Sequence, residues 1–237
     1  LGCQAQIRGD VVIDVPAESQ VHKQVVRKRA EVREITMNPS TRLYYVEVEE
    51  PDMHDPSGDL ERLVIALRRD WALPALEADL GVLRNLQKAL RKGDWKVTVA
   101  VHLGDAVFSP RIVAIWPGFY EGTIYGLAVD LGSTTIAAHL CDLRSGEVVA
   151  SSGIMNPQIR FGEDLMSRVS YGMMNPTGSD EMTRAVREGM NALFVQIASE
   201  AQIDRDLIMD VVFVCNPVMH HLFLGIDAYE LGQAPFA

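Results

Sequence analysis

Between Leu127 and Leu140 the sequence runs through two apolar stretches that meet at Asp130-Leu131-Gly132-Ser133-Thr134-Thr135. Apolar runs of this length on either side of a polar, glycine-containing turn predict a buried β-hairpin. Arg144-Ser145-Gly146 supplies a second turn, and residues 147–154 a third strand. Helices are expected over 161–171 and 179–200, a buried strand over 210–215, and a short helix starting at Pro217, a residue suited to the first helical position. Strands, then helices, then a further strand is the order of one lobe of a layered α/β domain, here residues 121–237.

A turn that grips phosphate between two strands needs three things: a backbone that an anion can approach, donors aimed at the anion, and a carboxylate for hydrated magnesium. Gly132 has no Cβ to block the approach. Ser133, Thr134 and Thr135 offer hydroxyls and consecutive N–H groups. Asp130, at the end of the first strand, can hold Mg²⁺ through its waters, since that ion dehydrates reluctantly. The plain alternative is a hairpin turn and nothing more, because Asp, Gly and Ser favour turns on their own account.

Upstream, Val11 to Val15 reads as a strand closed by Pro16, which lacks the N–H a ladder needs. Residues 1–16 look like the tail of a preceding domain. Residues 17–42 read as a linker, where Lys23, Arg27, Lys28, Arg29 and Arg33 alternate with Glu31 and Glu34 in a solvated charge run. Residues 43–120 read as a small α+β middle domain. It has a strand at 43–48, then a helix from Gly58-Asp59 with Leu60, Leu63, Val64 and Leu67 on one face. A second helix follows, with Leu80, Leu83, Leu86, Ala89 and Leu90 as its stripe and Gly93 as its stop, and then strands at 96–103 and 111–116. His102 stands singly on a strand and reads as structural.

A formal net charge of −10 argues against a nucleic-acid partner, which would need a cationic face to release counterions. No run of roughly 18 apolar residues exists to span a membrane, and Leu1-Gly2-Cys3-Gln4 lacks the features of a signal peptide. A cytoplasmic location is therefore expected. The three cysteines, Cys3, Cys141 and Cys215, are too few for a disulfide framework and too dispersed for a local zinc site. Cys141 and Cys215 lie in apolar runs and read as small core hydrophobes. His220 and His221 are adjacent, so they point to different helix faces and cannot share a metal as an i,i+4 pair could. Glu163 and Asp164 open a helix, where carboxylates favour the dipole.

Val129-Asp130-Leu131-Gly132-Ser133-Thr134-Thr135 resembles the first phosphate motif of the actin, hexokinase and chaperone ATPase superfamily. Two further segments, Asn156-Pro157-Gln158-Ile159-Arg160-Phe161-Gly162-Glu163-Asp164 with Ser167-Arg168-Val169, and Asn216-Pro217-Val218-Met219-His220-His221, look like the reductive activators of corrinoid proteins. Leu1-Gly2-Cys3-Gln4 is similar to the last cluster cysteine of a plant-type ferredoxin. The resemblance covers the whole chain. It implies α/β and α+β architecture: the tail of a [2Fe-2S] ferredoxin domain, a linker, a middle domain and the first lobe of an actin-like, ribonuclease H-like ATPase domain.

By that resemblance Asp130 is the catalytic residue. Gly132, Ser133, Thr134, Thr135 and Asn216 bind ATP with Mg²⁺, and Cys3 is the fourth ligand of a [2Fe-2S] cluster whose other ligands lie upstream. Cys215 stands where the resemblance calls for a small residue, usually Gly. The implied function is ATP-dependent reduction of a Co(II) corrinoid protein, the implied partner is that corrinoid protein, and a homodimer is a further state it allows. The alternatives are a nucleotide-dependent binding module or chaperone-like switch without electron transfer, and a small-molecule kinase, for which no base is evident.

Overall fold

The computed structural model describes Gly9, residues 36–104 and residues 109–234. Cys3, the 11–15 strand and the charged 18–34 stretch lie outside the described residues. Two four-stranded sheets follow one another along the chain, each mixed in strand direction and each packed against helices.

The first sheet has the order β1-β3-β4-β2, with β1 Thr41–Glu47, β2 Glu77–Ala78, β3 Lys96–His102 and β4 Arg111–Pro117. β1, β3 and β4 form an antiparallel meander, and the two-residue β2 adds in parallel to β4. Helices α1 Asp59–Trp71 and α2 Leu80–Lys92 supply the core partners: Leu63 and Leu67 from α1, and Val82, Leu86 and Leu90 from α2, meet Val46, Val99, Val101 and Ile112. α1 begins at Gly58 with Asp59 and Glu61 in its first turn and Arg68 and Arg69 in its last, the polarity that suits the helix dipole. The expected stripe of α2 is half right. Leu86, Ala89 and Leu90 are buried, but Leu80 and Leu83 are exposed and Val82 takes the inner place. Val82, Leu86 and Ala89 follow the i, i+4, i+7 row, and Leu83 is one helical step off it. Gly93 stops the helix as expected: a Cβ there would fall 2.1 Å from the Lys96 carbonyl oxygen.

The second sheet has the order β7-β6-β5-β8, from β5 Tyr125–Leu131, β6 Thr135–Asp142, β7 Val148–Met155 and β8 Ile208–Cys215. β5, β6 and β7 form an antiparallel meander, and β8 returns to lie parallel to β5. Between them run α3 Leu165–Met174 and the long α4 Gly178–Glu200, and α5 Pro217–Leu224 follows β8. Val186, Met190, Leu193 and Ile197 of α4 pack on Leu127, Val129, Leu131, Ile136 and Leu140, so one face of the hairpin is wholly covered.

Two expectations change here. The helix placed at 161–171 is split: a short 3-10 helix, Pro157–Phe161, comes first and α3 begins afresh at Leu165. The chain folds so tightly at Gly162 that a Cβ would lie 2.8 Å from the Arg168 nitrogen, and Asp164 then caps α3. β8 was expected to be buried. Among the described residues it is an edge strand, with Val212 59% and Val214 68% exposed on the face that α4 does not cover.

The two units meet at a polar junction. The Ser40 hydroxyl donates to Asp210 Oδ2, and Thr41 Oγ1 lies 3.1 Å from His102 Nδ1 and 3.4 Å from Asp210 Oδ2. His102 thus has a structural role, as expected, tying the ends of β1 and β3 to β8.

Candidate functional site

β5 alternates: Leu127, Val129 and Leu131 enter the core, which turns Ala128 and Asp130 to the opposite, open face. Asp130 is half-buried there, level with Ala137 on β6 and Val214 on β8. One residue further the strand ends and the turn Gly132-Ser133-Thr134 begins.

The turn is held from behind at three successive carbonyls. The side-chain amide of Asn156 donates to the Gly132 oxygen at 2.8 Å, the Arg168 guanidinium to the Ser133 oxygen at 2.5 Å, and the Asn156 backbone N–H to the Thr134 oxygen at 2.8 Å. A trans peptide unit points its C=O and the following N–H in opposite directions. The N–H groups of Ser133, Thr134 and Thr135 are therefore turned away from Asn156 and Arg168. Among the described residues outside the strand ladders, no hydrogen bond engages the N–H groups of Ser133 and Thr134 or the hydroxyls of Ser133, Thr134 and Thr135, and Thr135 opens β6. Consecutive outward N–H groups of this kind make an anion-binding concavity.

Gly132 serves the turn itself. Its N–H donates to the Thr135 oxygen at 3.1 Å, and a Cβ on it would lie 2.6 Å from that same oxygen. The glycine is required for the hairpin to close, and its N–H is spent within the hairpin.

Asn216 lies at the same end of the sheet. Leu131 and Cys215 are register partners, so the turn after β5 and the start of α5 after β8 stand side by side at the carboxyl ends of two parallel strands, the usual place for a ligand in such sheets. Asn216 caps α5, its Oδ1 accepting from the Met219 N–H at 2.9 Å, and Pro217 opens the helix. The positive end of α5 thus adds to the donors of the turn. Cys215 packs toward the helix-covered core, away from the face that Asp130 borders, and burial pushes its thiol up.

Asn156 and Arg168 belong to the candidate site, and residue-by-residue reasoning passed over them. Both are fully buried, and both contact the Met219 sulfur, which ties α5 to the back of the turn. Asp164 accepts from the Ser167 N–H and hydroxyl, bonds that hold its carboxyl below the usual range. It is a cap, nine sequence positions beyond the β7 strand end. His221 Nδ1 sits 2.8 Å from the Pro217 oxygen, and His220 is exposed. Among the described residues no group of three or more His, Cys, Asp or Glu is arranged to hold a metal ion, and no helix is long and apolar enough to cross a membrane. Cys3 lies outside the described residues.

Two family models match the chain in succession. Residues 30–122 match the RACo linker region and residues 125–237 the RACo middle region, so each model spans one sheet, and the hairpin lies in the second. The corrinoid activation enzyme RamQ of Eubacterium limosum is 35% identical over 181 residues, which are 70% of this chain and 30% of that protein. A solved structure titled as a reductive activator for corrinoid, iron-sulfur protein superposes with a TM-score of 0.75 at 29% identity, over 94% of this chain and 37% of the other. The chain thus spans about a third of the length of these relatives.

Proposed function

Because the chain belongs to the RACo family of corrinoid reductive activators, whose linker and middle regions it carries in order, we propose that the full-length protein activates a corrinoid protein reductively at the expense of ATP. The observation that carries this is the turn at Gly132–Thr134. Its carbonyls are tied back and the N–H groups of Ser133, Thr134 and Thr135 face away from those ties, beside the N-terminus of α5 and with only Leu131 between Gly132 and Asp130. Ser133, Thr134 and Thr135 donate to the terminal phosphates of ATP, Asp130 orients the magnesium ion through its waters, and Asn216 holds the start of α5 against the same phosphates. The antiparallel hairpin β5–β6–β7 with a parallel β8 beside it supports an actin-like, ribonuclease H-like lobe.

In the same proposal Cys3 belongs to a [2Fe-2S] ferredoxin domain of the full-length protein, which works in the cytoplasm. A plant-type cluster sits near about −400 mV and supplies single electrons. Each ~59 mV of uphill gap costs a factor of about ten for a one-electron step, so a downhill partner is needed for Co(II) to Co(I). ATP can serve only through different affinity for two conformations, and a phosphate-gripping turn between two strands is where such a difference would originate.

The test is air-free electron paramagnetic resonance on the full-length protein, its cluster first reduced by a chemical reductant, mixed with a Co(II) corrinoid protein. A reduced [2Fe-2S] signal, and loss of the Co(II) signal only when ATP is added, are expected. ATP binding without a cluster signal would instead favour a nucleotide-driven switch.

A further inference from the structure

Arg168 is a guanidinium with no exposed surface, and among the described residues none of its bonds goes to a carboxylate. Nε donates to the Gly162 oxygen at 2.9 Å, Nη2 to the Ser133 oxygen at 2.5 Å, and Nη1 meets the Met219 sulfur at 3.3 Å. Burial disfavours its charged form, and among the described residues the acid acting on it is Asp164, an exposed side chain committed to capping α3. A buried charge whose direct bonds go to carbonyls and a thioether, with its nearest acid exposed to solvent, is costly. An apolar side chain would fill the same space without that cost, so packing alone does not account for an arginine here.

The position of the group supplies the reason. The Ser133 carbonyl it holds belongs to the peptide unit whose N–H, that of Thr134, points outward at the centre of the turn. Asn156 fixes the peptide units on either side in the same sense. We infer that Arg168 and Asn156 are positioning residues for phosphate. They fix three peptide units so that Ser133, Thr134 and Thr135 present their N–H groups together, and the Arg168 charge lies immediately behind, with a phosphate in front as its counter-ion. This rests on the proposed ATP site and adds to it two residues that do not touch the ligand. It also makes anion binding and the burial of Arg168 mutually dependent: the phosphate gains a fixed positive field, and the guanidinium gains a countercharge beyond the exposed Asp164.

Another buried arginine provides the control. Arg62, 5% exposed, also bonds backbone carbonyls, those of Glu50, Asp55 and Ser57, but in the first unit and with the Asp55 carboxylate as partner. The experiment measures binding of Mg-ATP and of adenosine, which lacks phosphate, to full-length wild type, Arg168→Met, Asn156→Ala and Arg62→Met at a temperature where all are folded. Arg168→Met and Asn156→Ala are expected to lose at least about tenfold in ATP affinity, the worth of one charge-assisted hydrogen bond. Adenosine affinity should change by less than about twofold, and Arg62→Met should leave ATP affinity within about twofold, as distant sites act independently. Should Arg168→Met not fold, Arg168→Lys serves: an ammonium lacks the fork that spans two carbonyls, and a selective loss for ATP of at least about threefold is expected. Equal ATP affinity in wild type and the Arg168 variants, or equal losses for ATP and adenosine, would overturn the positioning role while leaving the proposed function standing. No ATP binding by wild type would overturn both.

Discussion

Asn156 and Gln158 are two fully buried amides two residues apart, and their removal should have very different consequences. The Asn156 side chain makes two bonds that nothing else replaces: Oδ1 accepts from the Gln158 N–H at 2.9 Å, and Nδ2 donates to the Gly132 oxygen at 2.8 Å. Asn156→Ala leaves a buried donor and a buried acceptor unpaired, each at about 1–3 kcal/mol, so a loss of about 4 kcal/mol is expected. Among the described residues the Gln158 side chain makes one bond, Nε2 to the Met182 oxygen at 2.9 Å, and its Oε1 is buried without a partner. The Met182 oxygen also lies in the α4 ladder, so Gln158→Met removes one shared bond and one unsatisfied atom together. The net change should be below about 1 kcal/mol. Thermal unfolding of the full-length protein, followed by scanning fluorimetry on the transition of the hairpin-bearing unit, reads the contrast. Asn156→Ala should lower the midpoint by about 10 °C and Gln158→Met by no more than about 3 °C. Equal shifts, or a larger one for Gln158→Met, would refute the assignment of the hairpin's rigidity to Asn156.

Other outcomes follow from the same geometry. Gly132→Ala places a Cβ 2.6 Å from the Thr135 oxygen, a backbone atom that cannot swing aside. A destabilisation of about 1–3 kcal/mol, together with lost ATP binding, is expected from melts and titration. Asp210→Ala removes the acceptor shared by Ser40 and Thr41, and should speed limited proteolysis between the two units while leaving each helical core protected from hydrogen exchange. Asp164 has its carboxyl pKa lowered by the Ser167 N–H and hydroxyl. Its contribution is therefore present above the ordinary value of 3.8 and is lost as pH falls through the lower folded value. Wild type should lose amide protection in the first turn of α3 below that pH, and Asp164→Asn should not show the step.

The hairpin and its flanking strands were legible because both signals, apolar runs and a turn-forming hexapeptide, are local. So was α1, whose acidic start and basic end agree with its apolar face. Two features were not. β8 carries an apolar run, Val211-Val212-Phe213-Val214, that reads as buried, but burial depends on what covers a strand, and α4 covers only one side of the sheet. Gly162 breaks the expected helix through a contact with Ser167 and Arg168 that exists only once the chain has turned. The back of the Gly132–Thr134 turn was hidden for a related reason. Asn156 and Arg168 stand 24 and 35 residues from the carbonyls they hold, and neither spacing has a sequence signature. His102 and Asp210 likewise meet across more than a hundred positions. What local pattern left open was long-range pairing.

The most direct test of the central claim is hydrogen exchange at the amides of Ser133, Thr134 and Thr135 in the full-length protein, alone, with saturating Mg-ATP and with saturating adenosine. ATP, and not adenosine, should slow exchange at these three positions. Unchanged exchange there while ATP is bound would contradict a phosphate grip at the Gly132–Thr134 turn.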